Sequence, residues 1–321
     1  MRPIRLLAMF FAVLVAFCAH AQTFPAKSVR VVVPFPAGGG LDFTTRILAR
    51  KLGDMWGQTV VVDNRPGASG MIGAESVVRS PKDGYTLLSC SPAEVSLNLA
   101  LYPKMAYDPL RELAPISLTA IYANVIAVHA SLPAKNWKEL VALSKRTPGG
   151  IGFASSGTGS TQHLTGEWLK RNAGINLLHV PYKGAAPATA DLIGGQIPSG
   201  ILGAAPLIPH IHAGRIRAIA VTTENRTGSL PDVPTLAEVG VNGFTSSQWF
   251  GFLAPAGTPR DVIMKINADL QKVLAAPDVK EKLATQGGEA QGTTPEAFGA
   301  FMKKEYDTYS QIITQAGIKV D

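Results

Sequence analysis

Short apolar runs alternate with amphipathic stretches in the first third of the chain. Val29–Pro34, Val60–Val62 and Thr86–Cys90 are mostly apolar and have the length of buried strands. Between them, Phe43–Leu52 and Met71–Arg79 have the length and spacing of helices, and Asp42 is the predicted N-cap of the first. Strand, helix, strand, helix, strand in this order predicts a parallel sheet built from right-handed crossover units, which is an α/β fold.

The same alternation returns after a long apolar segment, Ile116–Val128. Ile151–Ala154 predicts a strand, Thr161–Ala173 a helix, and Phe250–Ala254 a later strand. The long segment is able to carry the chain from one lobe to another, and Phe250–Ala254 to carry it back. We therefore predict crossovers near 122 and 247, which give a discontinuous first lobe, 22–122 and 247–321, and an inserted second lobe, 123–246.

The N-terminus has the pattern of an export signal. Arg2 and Arg5 precede an uncharged apolar run, Leu6–Phe17, and a small-residue cleavage pattern ends at Ala21. This predicts that 1–21 is a signal peptide, cleaved before Gln22, and that the protein is periplasmic. The run is short for a transmembrane helix, although an uncleaved anchor stays open as an alternative.

Cysteine is nearly absent, and this limits the chemistry available. Cys18 lies in the predicted signal peptide, so a lipoprotein stays an alternative, although Phe17 before it is larger than lipid-attachment sites prefer. Cys90 lies in an apolar run and is predicted to be a buried, inert thiol. A single cysteine in the mature chain excludes a disulfide within it and disfavours a thiolate zinc site.

The formal charge of the chain is +7, of which Arg2 and Arg5 contribute two. Lysine and arginine are scattered, without a basic run or interleaved aromatic residues, so we predict no nucleic-acid partner. The positive excess is compatible with an anionic ligand, and equally with solubility alone.

Two turns rich in glycine and serine carry the main functional signal. Ala37–Gly40 follows the first predicted strand, and Ser155–Ser160 follows the strand at Ile151–Ala154; each leads into a helix. Such a turn presents unpaired backbone amides at the positive end of a helix, which is a site for carboxylate, sulfate or phosphate. Two turns that face each other would hold both ends of a diacid. Ordinary tight turns between strand and helix remain the alternative.

Motifs for the common enzyme classes are missing. The chain has no Gly-x-Ser-x-Gly elbow, no phosphate-binding loop that ends in Gly-Lys-Ser or Gly-Lys-Thr, and no His-Glu-x-x-His pair. Gln162 replaces the third glycine of a dinucleotide fingerprint. We predict neither catalysis nor a cofactor nor a bound metal. A secreted hydrolase that pairs His163 with Ser156 or Ser160 stays an alternative, but no orienting carboxylate is evident.

Eight motifs in order resemble one family, the Bug proteins, which are periplasmic receptors of tripartite tricarboxylate transporters. Each motif alone is weak, but the ordered set covers almost the whole mature chain. The motifs are Val31–Gly40, Val61–Gly70, Asp83–Leu88, Tyr107–Leu110, Ser155–Leu164, His179–Gly184, Leu230–Pro234 and Leu253–Pro259.

This resemblance implies a two-lobed periplasmic-binding-protein fold of the type with two crossover strands, which closes around its ligand. It implies capture of a small carboxylate and delivery to membrane permease subunits, and we expect a monomer. A receptor that signals to a membrane kinase is an alternative. The ligand-binding residues that the resemblance implies are Phe35, Ala37, Gly38, Gly39 and Asp42 from the first lobe, and Ser156, Thr158, Ser160, His163, Tyr182 and Gly203 from the second.

The chain departs from the family pattern at two places. Leu41 stands where the family has threonine or serine, which replaces a hydroxyl donor with an apolar surface. The stretch Gly194–Gly203 lacks both acidic positions that the family allows there. A ligand ammonium would have no obvious counter-charge, so we predict an aromatic or aliphatic acid rather than an amino acid.

Overall fold

A computed structural model describes residues 24–102 and 104–319, so the predicted signal peptide and its cleavage site lie outside the described residues. The strands are β1 Val29–Val33, β2 Val60–Asn64, β3 Thr86–Cys90, β4 Leu113–His129, β5 Ile151–Ser155, β6 Leu177–Pro181, β7 Ser199–Gly203, β8 Ile216–Val221, β9 Ser247–Pro255 and β10 Gly288–Ala290. The α-helices are α1 Gly40–Trp56, α2 Met71–Val78, α3 Asn98–Leu101, α4 Pro109–Glu112, α5 Trp137–Arg146, α6 Thr161–Asn172, α7 Ala185–Ile193, α8 Ala204–His212, α9 Arg260–Ala275, α10 Pro277–Ala284 and α11 Pro295–Ala316.

The first sheet has the order β2-β1-β3-β9-β4, with β10 added on β4. β1 is parallel to β2 and β3, whereas β9 runs antiparallel to both β3 and β4. Val31 and Val33 face one apolar cluster with Leu48 of α1, and Val32 faces another cluster on the opposite side. Because both faces of β1 are covered, its sequence is a continuous valine run rather than an alternating one.

The second sheet has the order β4-β7-β5-β6, with β8 also paired to β4. β5 is parallel to β6 and β7, and β4 is antiparallel to β7 and β8. Phe153 of β5 is fully buried and packs in a core with Leu164 of α6 and Leu140 of α5. Two mixed sheets covered by helices confirm the predicted α/β class.

A single long strand, β4, belongs to both sheets. Its segment Leu113–Ala123 pairs with β9, and Asn124–Val128 pairs with β7. The chain returns to the first sheet at the start of β9. Just before that strand, Ser246 N–H still donates to the carbonyl of Thr222, the residue that follows β8 of the second sheet. We propose that the lobes divide at these crossings, near the positions 122 and 247 that the sequence predicts.

Helix α11 connects the two cores in a way that the sequence prediction did not include. Phe298 and Met302 pack in a cluster of the first sheet. About two and three turns after Met302, Tyr309 and Ile312 pack in the cluster that contains Phe153 of the second sheet. The predicted first lobe includes all of 247–321. The C-terminal half of α11, however, also covers the core of the second sheet.

Cys90 is buried at the end of β3, as predicted. Its Sγ donates to Gly251 O at 3.3 Å. Burial raises the pKa of this thiol well above its usual value, which disfavours the reactive thiolate.

Candidate functional site

A cavity of about 770 Å³ lies between the two sheets, within the size range of small-molecule sites. From the first sheet it is lined by the loop after β1, by the end of β3 and by side chains of β4 and β9. From the second it is lined by the residues that follow β5, β6 and β7. We call this cavity the cleft.

The first cleft loop runs from Phe35 to Gly39. Gly38 has a φ of +87°, a left-handed conformation that favours glycine. Its amide donates to Asp42 Oδ2 at 2.9 Å and is therefore already bonded within the protein. Asn64 fixes the loop further, because its Nδ2 donates to Phe35 O at 3.1 Å and to Asp42 Oδ1 at 2.9 Å.

The sequence predicted Asp42 as the N-cap of the first helix, and this prediction is wrong. Gly39 is the N-cap of α1, and Asp42 lies inside the first turn. Its carboxylate accepts from Gly38 N–H, Arg46 Nε and Asn64 Nδ2 and is almost fully buried. Burial alone would raise the pKa of Asp42, but hydrogen bonds from Arg46, Gly38 and Asn64 together lower it. The negative charge of Asp42 is thus compensated within the first lobe.

The second cleft loop runs from Ser156 to Ser160 and starts α6. Ser160 is the N-cap, since its Oγ accepts from His163 N–H at 3.2 Å. Gly159 N–H donates to His163 Nδ1 at 3.1 Å. The Ser156 carbonyl accepts from Gly184 N–H at 3.1 Å, which joins this loop to the start of α7.

The predicted ligand-binding residues fall into two groups. Phe35, Ala37, Gly39, Asp42, Ser156 and Gly203 line the cleft, whereas Gly38, Thr158, Ser160, His163 and Tyr182 do not. Four of the second group have other hydrogen-bonding tasks: Gly38, Ser160 and His163 hold the loops, and Tyr182 OH donates to Asp191 Oδ2 at 2.8 Å. Thr158 is exposed. Ligand contact by any of these residues stays a prediction.

Four helices direct their N-termini at the cleft. Amides in the first turn of a helix have no acceptor within the helix, and the aligned peptide dipoles add about half a positive charge there. An anion in the cleft would therefore lie near helix starts that belong to both sheets. The lining residues from these four helix starts are Gly39 and Gly40 of α1, Gln162 of α6, Gly184 and Ala185 of α7, and Gly203 and Ala204 of α8.

Sequence reasoning found two of these four helix starts. The other two follow the same rule, because β6 and β7 each lead to a glycine, Gly184 and Gly203, that is the N-cap of the next helix. The strand–glycine–helix spacing could therefore have revealed them. Gln248 and Gln286 also line the cleft, and nothing in the local sequence marks them.

An apolar wall covers the first-lobe side of the cleft; it consists of Phe35, Leu41, Tyr122 and Phe250. The rings of Tyr122 and Phe250 are 5.0 Å apart between centroids. The Tyr122 hydroxyl is bonded to Thr44 Oγ1 at 2.7 Å, so it is already paired within the protein. The wall is thus suited to the hydrocarbon part of a ligand.

Charged side chains contribute little to the cleft. Within the part of the chain that the structure describes, Asp42 is the only charged residue that lines it, and no lysine, arginine or histidine does so. Binding of an anion in the cleft must therefore depend on backbone amides and neutral side chains.

Within 24–102 and 104–319, no group of three or more His, Cys, Asp or Glu residues is placed to hold a metal ion. No helix in that same part of the chain is both long and apolar enough to cross a membrane.

Comparison with known proteins identifies the family. The family model described as the tripartite tricarboxylate transporter family receptor matches residues 44–318. The chain belongs to this family.

Relatives of this receptor include proteins with bound acids. BugT of Bordetella pertussis is 36 % identical over 307 residues, which cover 95 % of this chain and 94 % of BugT. Rpa4515 of R. palustris, solved with adipate, has 34 % identity and a TM-score of 0.79, and the match covers 92 % of this chain and 99 % of that one. MatC of Rhodopseudomonas palustris, solved with malate, has 28 % identity and a TM-score of 0.73, and the match covers 90 % and 100 % of the two chains. These likenesses confirm the predicted periplasmic-binding-protein fold and the resemblance to Bug proteins.

The hydrolase alternative finds no support in the geometry of this receptor. The His163 ring binds the Gly159 amide rather than a hydroxyl of Ser156 or Ser160. A different pair, Ser155 Oγ and His179 Nε2, is 2.7 Å apart, but Ser155 is fully buried and neither residue lines the cleft. A nucleophile needs access to its substrate, which Ser155 does not have.

Proposed function

We propose that this protein is a non-enzymatic periplasmic receptor for a carboxylate with an apolar body, an aromatic or aliphatic mono- or diacid. It delivers that acid to the permease subunits of a tripartite transporter. The observation that carries this proposal is the convergence of four helix N-termini on a cleft whose lining includes no cationic side chain among the described residues. Such a site takes an anion through main-chain hydrogen bonds.

The apolar wall supports the choice of ligand body. Hydrocarbon surface that moves from water to this wall contributes about 25 cal/mol per Å². Adipate, found in the R. palustris neighbour Rpa4515, combines two carboxylates with such a body. We infer an acid of this kind for the present receptor.

The compensated charge of Asp42 supports the exclusion of amino acids. An α-ammonium group in the cleft would lose its hydration, and Asp42, the one carboxylate among the described lining residues, is already bonded to Gly38, Arg46 and Asn64. A buried charge without a partner is unfavourable by several kcal/mol. An amino acid should therefore bind far more weakly than the same skeleton without its amine.

Matched pairs of acids test this proposal. Isothermal titration of the purified protein would compare glutarate with glutamate, and 3-phenylpropionate with phenylalanine, because each pair differs only by the ammonium group. We expect at least one acid without an amine to bind, and its amino-acid partner to bind at least roughly 100-fold more weakly, which is about 2.8 kcal/mol. Tight binding of glutamate or phenylalanine, with no binding of the matched acids, would refute the assignment.

Leu41 is expected to favour the apolar body. Leu41→Thr restores the hydroxyl that the family has at this place and removes part of the apolar wall. We expect the affinity for 3-phenylpropionate or adipate, whichever binds the wild type, to fall roughly tenfold, because burial of a leucine side chain contributes about 1.5–3 kcal/mol. Leu41→Met, which conserves volume, is the matched control and should change affinity less than threefold. Equal affinities of all three proteins would show that Leu41 does not contact the ligand.

A further inference from the structure

The imidazole of His163 lies behind the second cleft loop, and its hydrogen bonds determine its form. Nδ1 accepts the Gly159 amide at 3.1 Å, and Nε2 is 4.0 Å from Glu167 Oε1. Because Nδ1 accepts, a neutral ring must carry its proton on Nε2. The residue is 6 % exposed, so this bond is shielded from water.

A second histidine supports the first from the neighbouring strand. The ring of His179 in β6 stacks on that of His163 with centroids 3.7 Å apart and planes at 10°. His179 Nε2 is 2.7 Å from Ser155 Oγ, at the residue that begins the turn. The two rings thus brace the turn from Ser155 to Gly159 at both ends.

The conformation of this turn determines which groups of the second lobe reach the cleft. Ser156 lines the cleft, and its carbonyl binds the amide of Gly184, the N-cap of α7. A shift of the turn would move both the Ser156 donor group and the start of α7. Two of the four helix N-termini at the cleft, those of α6 and α7, therefore depend on one loop conformation.

We propose that His163 is a positioning residue of the ligand site: its neutral ring holds the Gly159 amide and so fixes the loop that presents Ser156 and the α7 N-terminus to the ligand. The expected effect of His163 on ligand binding rests on the proposed function, whereas the hydrogen bond between His163 and Gly159 does not. It also gives His163 a task other than the ligand contact that the sequence implied.

The surroundings keep both rings neutral at physiological pH. Burial lowers the pKa of His163 to about 4, with a further decrease from Lys170. Burial likewise lowers the pKa of His179 to about 4; His163 and Lys170 lower it further, and Glu167 opposes them. Glu167 and Lys170 of α6 form an ion pair of 2.8 Å beside the rings. Since an imidazolium cannot accept a hydrogen bond, protonation of His163 must break its bond to Gly159.

NMR of the purified protein without ligand tests the geometry directly. We expect the ring nitrogens of His163 to show the Nε2–H tautomer from pH 5 to pH 8. We also expect the Gly159 amide resonance to titrate with the same midpoint as His163, near 4. A proton on Nδ1 at neutral pH, or a His163 midpoint near 6.5 with Gly159 unaffected, would overturn the proposal.

A pair of variants separates this role from simple packing. Asparagine places its Oδ1 close to the position of Nδ1 and keeps an acceptor for Gly159, whereas leucine has no acceptor. With adipate as the probe, we expect His163→Leu to weaken binding about tenfold and His163→Asn to stay within about threefold of wild type. His212→Asn, at an exposed position of α8, should leave affinity unchanged.

Equal adipate affinities of the leucine variant and the wild type would contradict the proposal. If the wild type does not bind adipate, the proposed ligand class is weakened, and the NMR experiment still decides the role of His163. The two failures are therefore distinguishable.

The pH dependence of unfolding gives a further readout with a defined sign. A pKa lowered from 6.5 to about 4 means that the stabilising effect of neutral His163 is complete above pH 6.5 and is lost as the pH falls toward 4. Glu94 and Glu305, whose pKa values burial raises to about 7, act in the opposite direction over much of this range. The difference in melting temperature between wild type and His163→Asn removes those shared effects, and we expect it to shrink between pH 6.5 and 4. A constant difference over this range would contradict the proposal.

Discussion

Gly203→Asp is expected to abolish ligand binding and to leave the fold intact. Gly203 is the N-cap of α8 and lines the cleft. Its φ of −60° and ψ of 145° suit any residue, and a Cβ there would meet no atom within 4 Å. Aspartate is among the best N-cap residues, so the melting temperature should stay the same or rise. The new carboxylate would occupy the amides that the ligand needs and would repel a second anion.

The expected loss of affinity is on the order of 100-fold or more. Removal of one or two charge-assisted hydrogen bonds, at about 1.5–3 kcal/mol each, is sufficient for this loss. Gly203→Asn is the matched control, because it adds the same volume without the charge and should weaken binding no more than about tenfold. Isothermal titration with the tightest-binding acid from the matched pairs measures both. Equal losses in the two variants would show that bulk, rather than charge, closes the site.

Asp42→Asn is expected to weaken both the fold and the site. All three groups that bind the Asp42 carboxylate are donors: Gly38 N–H, Arg46 Nε and Asn64 Nδ2. An asparagine amide would set its own donor against at least one of them. We expect a loss of about 2 kcal/mol in the free energy of unfolding and roughly a tenfold loss of ligand affinity, because the first cleft loop loses its anchor.

Denaturant titration and isothermal titration measure the two effects of Asp42→Asn. Asp54→Asn, at an exposed position of the same helix, is the matched control and should change neither quantity measurably. A variant of Asp42 that lost stability and kept full affinity would show that the loop conformation does not matter for binding. A variant that kept both would show that the hydrogen bonds to Asp42 contribute little.

The sequence predicted the architecture well because local pattern and burial agree there. The valine run of β1 and the long apolar segment that became β4 are marked by the apolar, β-branched character of their own residues. The N-cap of α1 was misplaced because Asp42 and Gly39 both suit that position. The hydrogen bond from Asn64 of β2, which helps to hold Asp42 inside the first turn, comes from a residue distant in the sequence and has no local signal.

The site was predicted in part, and the remainder depends on contacts between distant residues. The stacking of His163 on His179 joins a helix to a strand sixteen residues further along the chain, and no local pattern marks that contact. Likewise the apolar wall unites Leu41 with Phe250, which only the pairing of β4 with β9 brings to the cleft. Residues near a glycine turn were found from their motifs, whereas residues that reach the cleft from another element were missed.

A crystal structure of the receptor with its tightest-binding acid would show directly which groups hold the carboxylate. We expect a carboxylate between the two lobes, within about 3.2 Å of backbone amides at the starts of helices from both lobes, with its hydrocarbon part against Phe35, Leu41 and Phe250. An acid bound outside the cleft, or one whose carboxylate is paired with a lysine or arginine side chain instead of these amides, would contradict it.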